Sequence, residues 1–359
     1  MRRVSVLIPV LFAGSALPAQ SIWDTSVRLA PAYHAYTIQA PFNEKISEVS
    51  FPIFASVPVL PQLSFDVGTA FATVHLENSA TGTSSDMSGL TDTQIRANYS
   101  FGQDFLVLTG GVNIPTGSST IDAGELAAAT RIGSDFLTFP ISGFGSGLGF
   151  TGGAAIARPL GAWNLGLGAS VRQSSEYEPF RDEAGTATKY QPGPEYRARA
   201  GLDHPFGTGH VSVGFTFSKF GDDKSNAVTF NSGDRYITEF AMNNALNDRV
   251  DYSLVVWDLY RTSGTLINSS PSPSGNITNG LLTFGLRAGG VGIEPSIETR
   301  LWTQEGSNTS YLGTFGLRFF MDHGAWALVP GFGFSIGSME SAPLNGYRAT
   351  LGLRLGGAH

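Results

Sequence analysis

The pentapeptide GFSIG at residues 333–337 has the G-x-S-x-G spacing that presents a serine nucleophile in some hydrolases. That chemistry needs the serine on a sharp strand-to-helix turn, with a histidine and a carboxylate in reach. Here Gly333, Ser335 and Gly337 fall on alternate residues of an extended run, so the spacing reads as one small-residue face of a strand. The histidines give no better lead. His204, His210 and His323 fall beside short turns, His75 near a rim, His359 at the last position, and His34 shares a segment with Arg28. With no cysteine in the chain, thiolate metal sites, disulfides and a thiol nucleophile are excluded. No metal-ligand spacing or phosphate-binding glycine loop is present, so no metal, no cofactor and no enzymatic activity are expected.

Charged residues at every second position carry a stronger signal. Arg28, Arg96, Arg172, Arg197, Arg199, Arg287, Arg300, Arg318, Arg348 and Arg354 share the polar phase of their segments with Asp66, Glu195, Glu294 and Glu298. Glu48, Asp92 and Asp203 fall on the same phase. Two kinds of chemistry suit such a set. Arginine forks can pair with carboxylates on neighbouring strands and stiffen a wall, or an unbalanced field can select what passes it. Between residues 279 and 356 the phase tilts basic, which favours anions. Both readings require these charges to face an enclosed interior.

The elements that hold them alternate with period two, the mark of strands with two different faces. In HVSVGFTFSKF, Val211, Val213, Phe215 and Phe217 oppose Ser212, Gly214, Thr216 and Ser218. In the run from residue 291, Val291, Ile293, Pro295, Ile297, Thr299 and Leu301 oppose Gly292, Glu294, Ser296, Glu298 and Arg300. Sixteen such segments begin near residues 26, 45, 62, 90, 104, 145, 162, 189, 209, 233, 248, 279, 291, 309, 325 and 345. Short connections alternate with longer ones near 77–89, 114–144, 174–188, 220–232 and 262–278, and with modest ones near 39–44, 303–308 and 338–344. Short turns at one end and long loops at the other are the pattern of an outer-membrane barrel. Trp163 and Trp326 fall at the short-turn end, and Trp257, Tyr260, Trp302, Tyr311 and Tyr347 near the other, as two interfacial girdles would. A soluble β-sandwich would alternate too, but its outer face would carry lysine and glutamate; here lysine occurs only at positions 45, 189, 219 and 224.

The expected fold class is therefore all-β: a transmembrane, antiparallel, up-and-down barrel of sixteen strands with one helical external loop. If residues 20–60, with Pro31, Pro41, Pro52 and Pro58, stay out of the wall, fourteen strands remain and a small plug becomes available. The apolar phase must face lipid, because an arginine there costs roughly 2–4 kcal/mol at mid-depth. Outer-membrane lipid is thus an expected partner.

Arg2 and Arg3 followed by an apolar run and LPA at residues 17–19 read as a secretory signal peptide, residues 1–19, leaving residues 20–359 as the barrel. Its removal takes the net charge from −7 to −7 − 2 = −9, which speaks against nucleic acid as a partner. The expected location is the bacterial outer membrane; the oligomeric state is left open.

The connection 114–144 breaks the alternation. Asp122 and Glu125 fit a D-x-x-E capping box, and Glu125, Leu126 and the residues to Arg131 read as one or two helical turns. Ile132, Phe136, Leu137 and Phe139 then form an apolar cluster. Such a loop is expected to fold into the lumen, to shield a hydrophobic site at the outer mouth, or to cap the surface by packing on itself.

The fifth segment ends LTGGVNIPTGSST. Asn113-Ile114-Pro115-Thr116-Gly117, followed by the helical loop and then GFGSGLGF, resembles the outer-membrane proteins of the phenol-degradation MetA family, which are related in architecture to FadL-type channels. The resemblance implies passive uptake of a small-molecule permeant that is hydrophobic or aromatic. FadL-type channels carry an N-terminal hatch inside fourteen strands, a departure here. Beside this reading stand a general diffusion porin with an inward-folded loop and a structural or adhesive barrel with a closed lumen.

Overall fold

The computed structural model describes residues 26–102, 105–226, 228–288 and 290–356. The predicted leader, residues 1–19, lies outside them.

Eighteen strand segments join one sheet. Ser26–Leu29 and Ala32–Ile38 lie end to end between the same two neighbours, Glu44–Leu60 and Ala342–Leu355. They form one strand, β1, interrupted at Pro31, which lacks an N–H; its carbonyl still accepts from Leu351 N at 2.8 Å. Thr83–Leu90 and Thr93–Phe101 likewise share one neighbour, Leu63–Asn78, and form β4. The wall therefore has 18 − 2 = 16 strands. The others are β2 (Glu44–Leu60), β3 (Leu63–Asn78), β5 (Leu106–Ile114), β6 (Gly149–Leu160), β7 (Trp163–Ser174) and β8 (Glu195–Phe206). They continue with β9 (Gly209–Phe220), β10 (Arg235–Ala245), β11 (Val250–Arg261), β12 (Gly275–Ala288) and β13 (Val291–Gln304). The last three are β14 (Ser310–Asp322), β15 (Trp326–Met339) and β16 (Ala342–Leu355).

Every neighbour in the ring is antiparallel and consecutive in the chain, and β16 closes on β1 through Leu355↔Val27 and Leu344↔Ile38. The fourteen-strand alternative is thereby overturned: residues 26–60 are wall. No helix among the described residues is long and apolar enough to cross a membrane, which says nothing against crossing by strands.

Phase and register agree with the expected partition. Phe150, Leu167, Phe215, Ile297, Phe315, Phe332 and Leu351 are exposed on the outer face, whereas Glu298, Arg300 and Arg348 converge on the inner one. Trp163, Trp326, Tyr260, Tyr311 and Tyr347 share the outer phase. Trp257 and Trp302 do not: their cross-strand neighbours Glu239 and Ile277 face inward, so both indoles belong to the interior and not to the girdle.

Three connections differ from expectation. The loop foreseen at 77–89 is a hairpin, with Thr83–Leu90 continuing β4 against β3 and only residues 79–82 turning. Its outward residues are polar, and His75 and Asp86 pair across the strands at 2.6 Å. With Ser84, Asp86 and Ser88 exposed on its outer phase, this stretch lacks the apolar alternation that marks the other strands. The loop foreseen at 338–344 is a two-residue turn in which Glu340 and Ser341 have φ of 50° and 76°, a hairpin geometry usually signalled by Asn-Gly. The segment expected from residue 189 joins the wall only from Glu195, as β8. Tyr177–Arg181 and Ala187–Gln191 pair with each other, then with Ile121–Asp122, Asp223–Ser225 and Val228–Phe230 in a separate five-stranded sheet at the loop end. Burial, with Asp223 beside it, pushes the Tyr190 phenol well above its usual range, so the Tyr177–Tyr190–Phe230 ring contacts stay uncharged.

The partition is tested at mid-strand. Ile297→Arg, on the outer face, is expected to lower unfolding stability in bilayers by roughly 2–4 kcal/mol. Ser296→Arg, one residue away and facing inward, should cost far less. Urea midpoints read by the heat-modifiable gel shift compare them, and equal losses would reverse the partition.

Candidate functional site

The 34 residues between β5 and β6, 115–148, fold into the barrel mouth. A single 3-10 turn, Ala123–Glu125, leads into α1 (Leu126–Ile132). Asp122 N donates to the Glu125 carboxylate at 3.0 Å, the reciprocal half of a capping box. Beyond the helix the chain winds irregularly along the inner wall.

What docks it is an apolar cluster. Phe136, Leu137 and Ile132 are 1 %, 0 % and 1 % exposed. They and Phe139 pack with Tyr36, Ile38, Ile46, Val74, Leu76, Met87, Leu312 and Leu344 on the inner faces of β1–β4 and β14–β16. Phe136 stacks on Trp302, ring centroids 6.0 Å apart. Asp122 and Leu126 stay outside: Leu126 is 46 % exposed, because the helix turns Ala128 and Ile132 to the wall instead. Leu126 is therefore not a pocket residue. Of the three expected placements, folding into the lumen is the one observed.

Polar ties hold the ends and the middle. The Asp92 carboxylate accepts from Asn113 Nδ2 at 2.7 Å, Gly117 N at 3.2 Å and Ser146 N at 2.7 Å, so one side chain joins both ends of the loop. Asn113 also donates to Gly147 O at 2.8 Å. At Gly117 any Cβ would strike the carbonyl oxygen of Phe144. The sequence NIPTG is thus the clasp of the loop. Midway, Arg131 donates to Glu44 at 2.5 and 3.1 Å, Tyr36 Oη to Leu137 O at 3.0 Å and Ile141 N to Glu48 at 3.1 Å. Arg300 Nη1 reaches Phe136 O at 2.6 Å and Thr138 Oγ1 at 2.7 Å.

Below the loop runs the charged wall. Glu298 accepts from Arg300 at 2.8 Å and Arg348 at 3.0 Å. Arg197 pairs with Glu195 and Arg199 with Glu239, both at 2.6 Å, and Arg287 with Asp251 at 3.1 Å. Arg318 pairs with Glu294, and Arg354 with Asp322 at 3.3 Å. Seven of the ten wall arginines singled out in the sequence are thus in a lattice. Arg28, Arg96 and Arg172 are exposed on the inner phase without an ion pair among the described residues. Asp66 accepts instead from Ser56 at 2.8 Å and Asn98 at 2.9 Å. Glycine shares this phase so that guanidinium groups can lie flat: a Cβ at Gly333 would sit 2.5 Å from Arg348 Nε.

Sequence reasoning missed three inward residues. Glu239 lies in a strand whose alternation is blurred, Phe54 lies over Gly68 in a proline-rich run, and Trp257 was assigned to the girdle. Ser335 of GFSIG sits within β15 with its hydroxyl 2.8 Å from Thr314 Oγ1, and no strand-to-helix turn follows it.

A closed sixteen-strand barrel with an apolar outer belt, a charged inner wall and a loop docked in its mouth defines an outer-membrane channel-type barrel. The chain belongs to the family described as "Putative MetA-pathway of phenol degradation", whose model matches residues 45–250, from β2 through the docked loop to the start of β11. Among solved structures it is similar to the CymD monoaromatic hydrocarbon channel, at 8% identity and a TM-score of 0.50 over 99% of this chain and 94% of that one. It is also similar to a bacterial polysaccharide outer membrane secretin, at 8% identity and a TM-score of 0.53 over 94% of this chain and 99% of that one. At such identities the likeness concerns the fold. No curated protein matches the chain.

Two substitutions test the docking. Asp92→Ala strands buried donors at both loop ends, each worth about 1–3 kcal/mol. Trypsin is then expected to cut after Arg131 at least several-fold faster while the barrel stays heat-modifiable. Phe136→Ala removes a fully buried ring, a change that costs about 3–5 kcal/mol in cores. It should expose the same bond; resistance equal to wild type in both variants would mean that other contacts dock the loop.

Proposed function

We propose that this protein is a passive channel in the bacterial outer membrane for small hydrophobic or aromatic molecules. The observation that carries the reading is the mouth itself: a loop rich in aliphatic and aromatic side chains lies inside the barrel, where a hydrated, size-selecting pore would hold charges. Family membership supports it, as does the shared architecture with a monoaromatic hydrocarbon channel. The outward belt is matched to outer-membrane lipid. The arginine–carboxylate lattice serves as a rigid scaffold, neutralising charge across most of the wall, so that a neutral solute meets little net field.

One observation favours a general porin instead: Arg28, Arg96 and Arg172 are exposed in the interior and make no ion pair among the described residues, so they would draw anions through an open pore. Planar bilayers with a lipopolysaccharide outer leaflet separate the two readings. The wild type is expected to speed entry of radiolabelled toluene over protein-free bilayers while passing little ionic current. Deletion of residues 120–139 should raise the conductance several-fold and abolish the saturable part of toluene entry. Large steady conductance in the wild type, with no effect on toluene, would overturn the proposal in favour of the porin.

A further inference from the structure

The docked loop accounts for the apolar inner faces of β1–β4 and β14–β16, but not for a second apolar patch across the lumen. On β10, β11 and β12 the register places Ile237, Leu259 and Ile277 in one row, and Val255 and Leu281 in a row four residues toward the turn end. Between them lies Trp257, flanked by Glu239 and Asn279. Their inward phase is fixed by their neighbours. Glu239 pairs with Arg199 across the inner wall at 2.6 Å, and Asn279 donates to Glu298 at 2.9 Å. Ile277 is buried, whereas Ile237, Val255, Trp257, Leu259 and Leu281 are partly exposed. None of them belongs to the cluster formed with the loop. The row continues from Ile277 to Trp302, the indole on which Phe136 stacks, so the patch runs up to the edge of the docked loop.

Its neighbours on the inner wall are of a different kind. Gly166, Gly168, Ser170 and Arg172 of β7, and Ser212, Gly214 and Thr216 of β9, carry small or polar groups on the same phase. Apolar surface facing water is disfavoured by roughly 25 cal/mol per Å², and within a closed ring no folded partner can reach it. What can reach it is a small molecule, and an indole flanked by aliphatic side chains is the surface on which a flat ring gains most.

Resting on the channel reading above, we propose that Trp257, with Val255, Leu259 and Leu281 around it, is a binding station for a single-ring aromatic solute. The solute leaves the loop at the Phe136–Trp302 stack and lies against Trp257 before crossing the charged wall. Glu239 and Arg199, joined to each other, present a neutral rim to it.

The test uses the full-length protein in lipid nanodiscs, with 4-bromotoluene as probe, whose heavy atom quenches an indole that it touches. In a variant keeping only Trp257 (Trp23, Trp163, Trp302 and Trp326→Phe), quenching is expected to saturate. In a variant keeping only Trp163, on the lipid face, it should rise linearly with the probe dissolved in the membrane. Adding Leu259→Asn to the first is expected to raise the half-quenching concentration about tenfold, the factor that a lost contact of about 1.4 kcal/mol produces. Linear quenching of Trp257, or an unchanged midpoint with Leu259→Asn while the gel shift shows an intact barrel, overturns the station. The toluene-entry assay judges the channel separately. Entry by the wild type without saturable quenching leaves the channel and removes the station, whereas saturable quenching without entry leaves the station and removes the channel.

Discussion

Hydrocarbon offers no partner to a peptide N–H or C=O, and each one left unpaired there costs several kcal/mol. A sheet can meet that constraint only by closing on itself. Here closure is made by β16 against β1, the latter broken at Pro31 yet held on both sides by carbonyl and amide partners at Ala30 and Pro31. Once the ring is shut, each residue has two fates, lipid or interior, and period-two alternation follows as a consequence.

Closure creates an interior that must be filled, wetted or lined. The protein does all three in different sectors. In the mouth, beside β1–β4 and β14–β16, it sends the loop inward and buries Ile132, Phe136, Leu137, Phe139 and Phe144. The apolar cluster supplies the driving force, and the polar ties set the position. Asp92 is the economical part of this arrangement, since one carboxylate satisfies donors from both loop ends and from β5. Asn113 and Gly117, the residues behind the family resemblance, are those that meet it.

Lower down the interior is lined by arginine and carboxylate with glycine between them. A guanidinium needs width along the wall, and glycine or serine on the facing strand provides it. The exceptions mark where other chemistry is in play: three arginines without an ion pair among the described residues, and an apolar patch around Trp257 outside the cluster formed with the loop.

The sequence by itself determined the fold class, most of the outward aliphatic and aromatic set and the inward set of charges, and left sixteen strands beside fourteen until the pairing of residues 26–60 decided for sixteen. What it determined follows from one local rule, that lipid and interior exchange at every residue. The helical turn and its capping box were equally legible, because a cap is closed within a few residues of chain. Where the outer phase is polar the rule has nothing to report: Thr83–Leu90 carries Ser84, Asp86 and Ser88 outward, and its strand was hidden for that reason. The external sheet, the Glu340–Ser341 turn and the inward Trp257 were hidden too. Only the tertiary structure decided that the loop enters the lumen, that Leu126 turns away while Ile132 and Phe136 dock, and which arginine meets which carboxylate. Those outcomes depend on contacts between residues far apart in the chain, such as Arg300 with Phe136 and Glu44 with Arg131. Closing the ring is what brings such residues within reach, and no periodicity along a single strand encodes that distance.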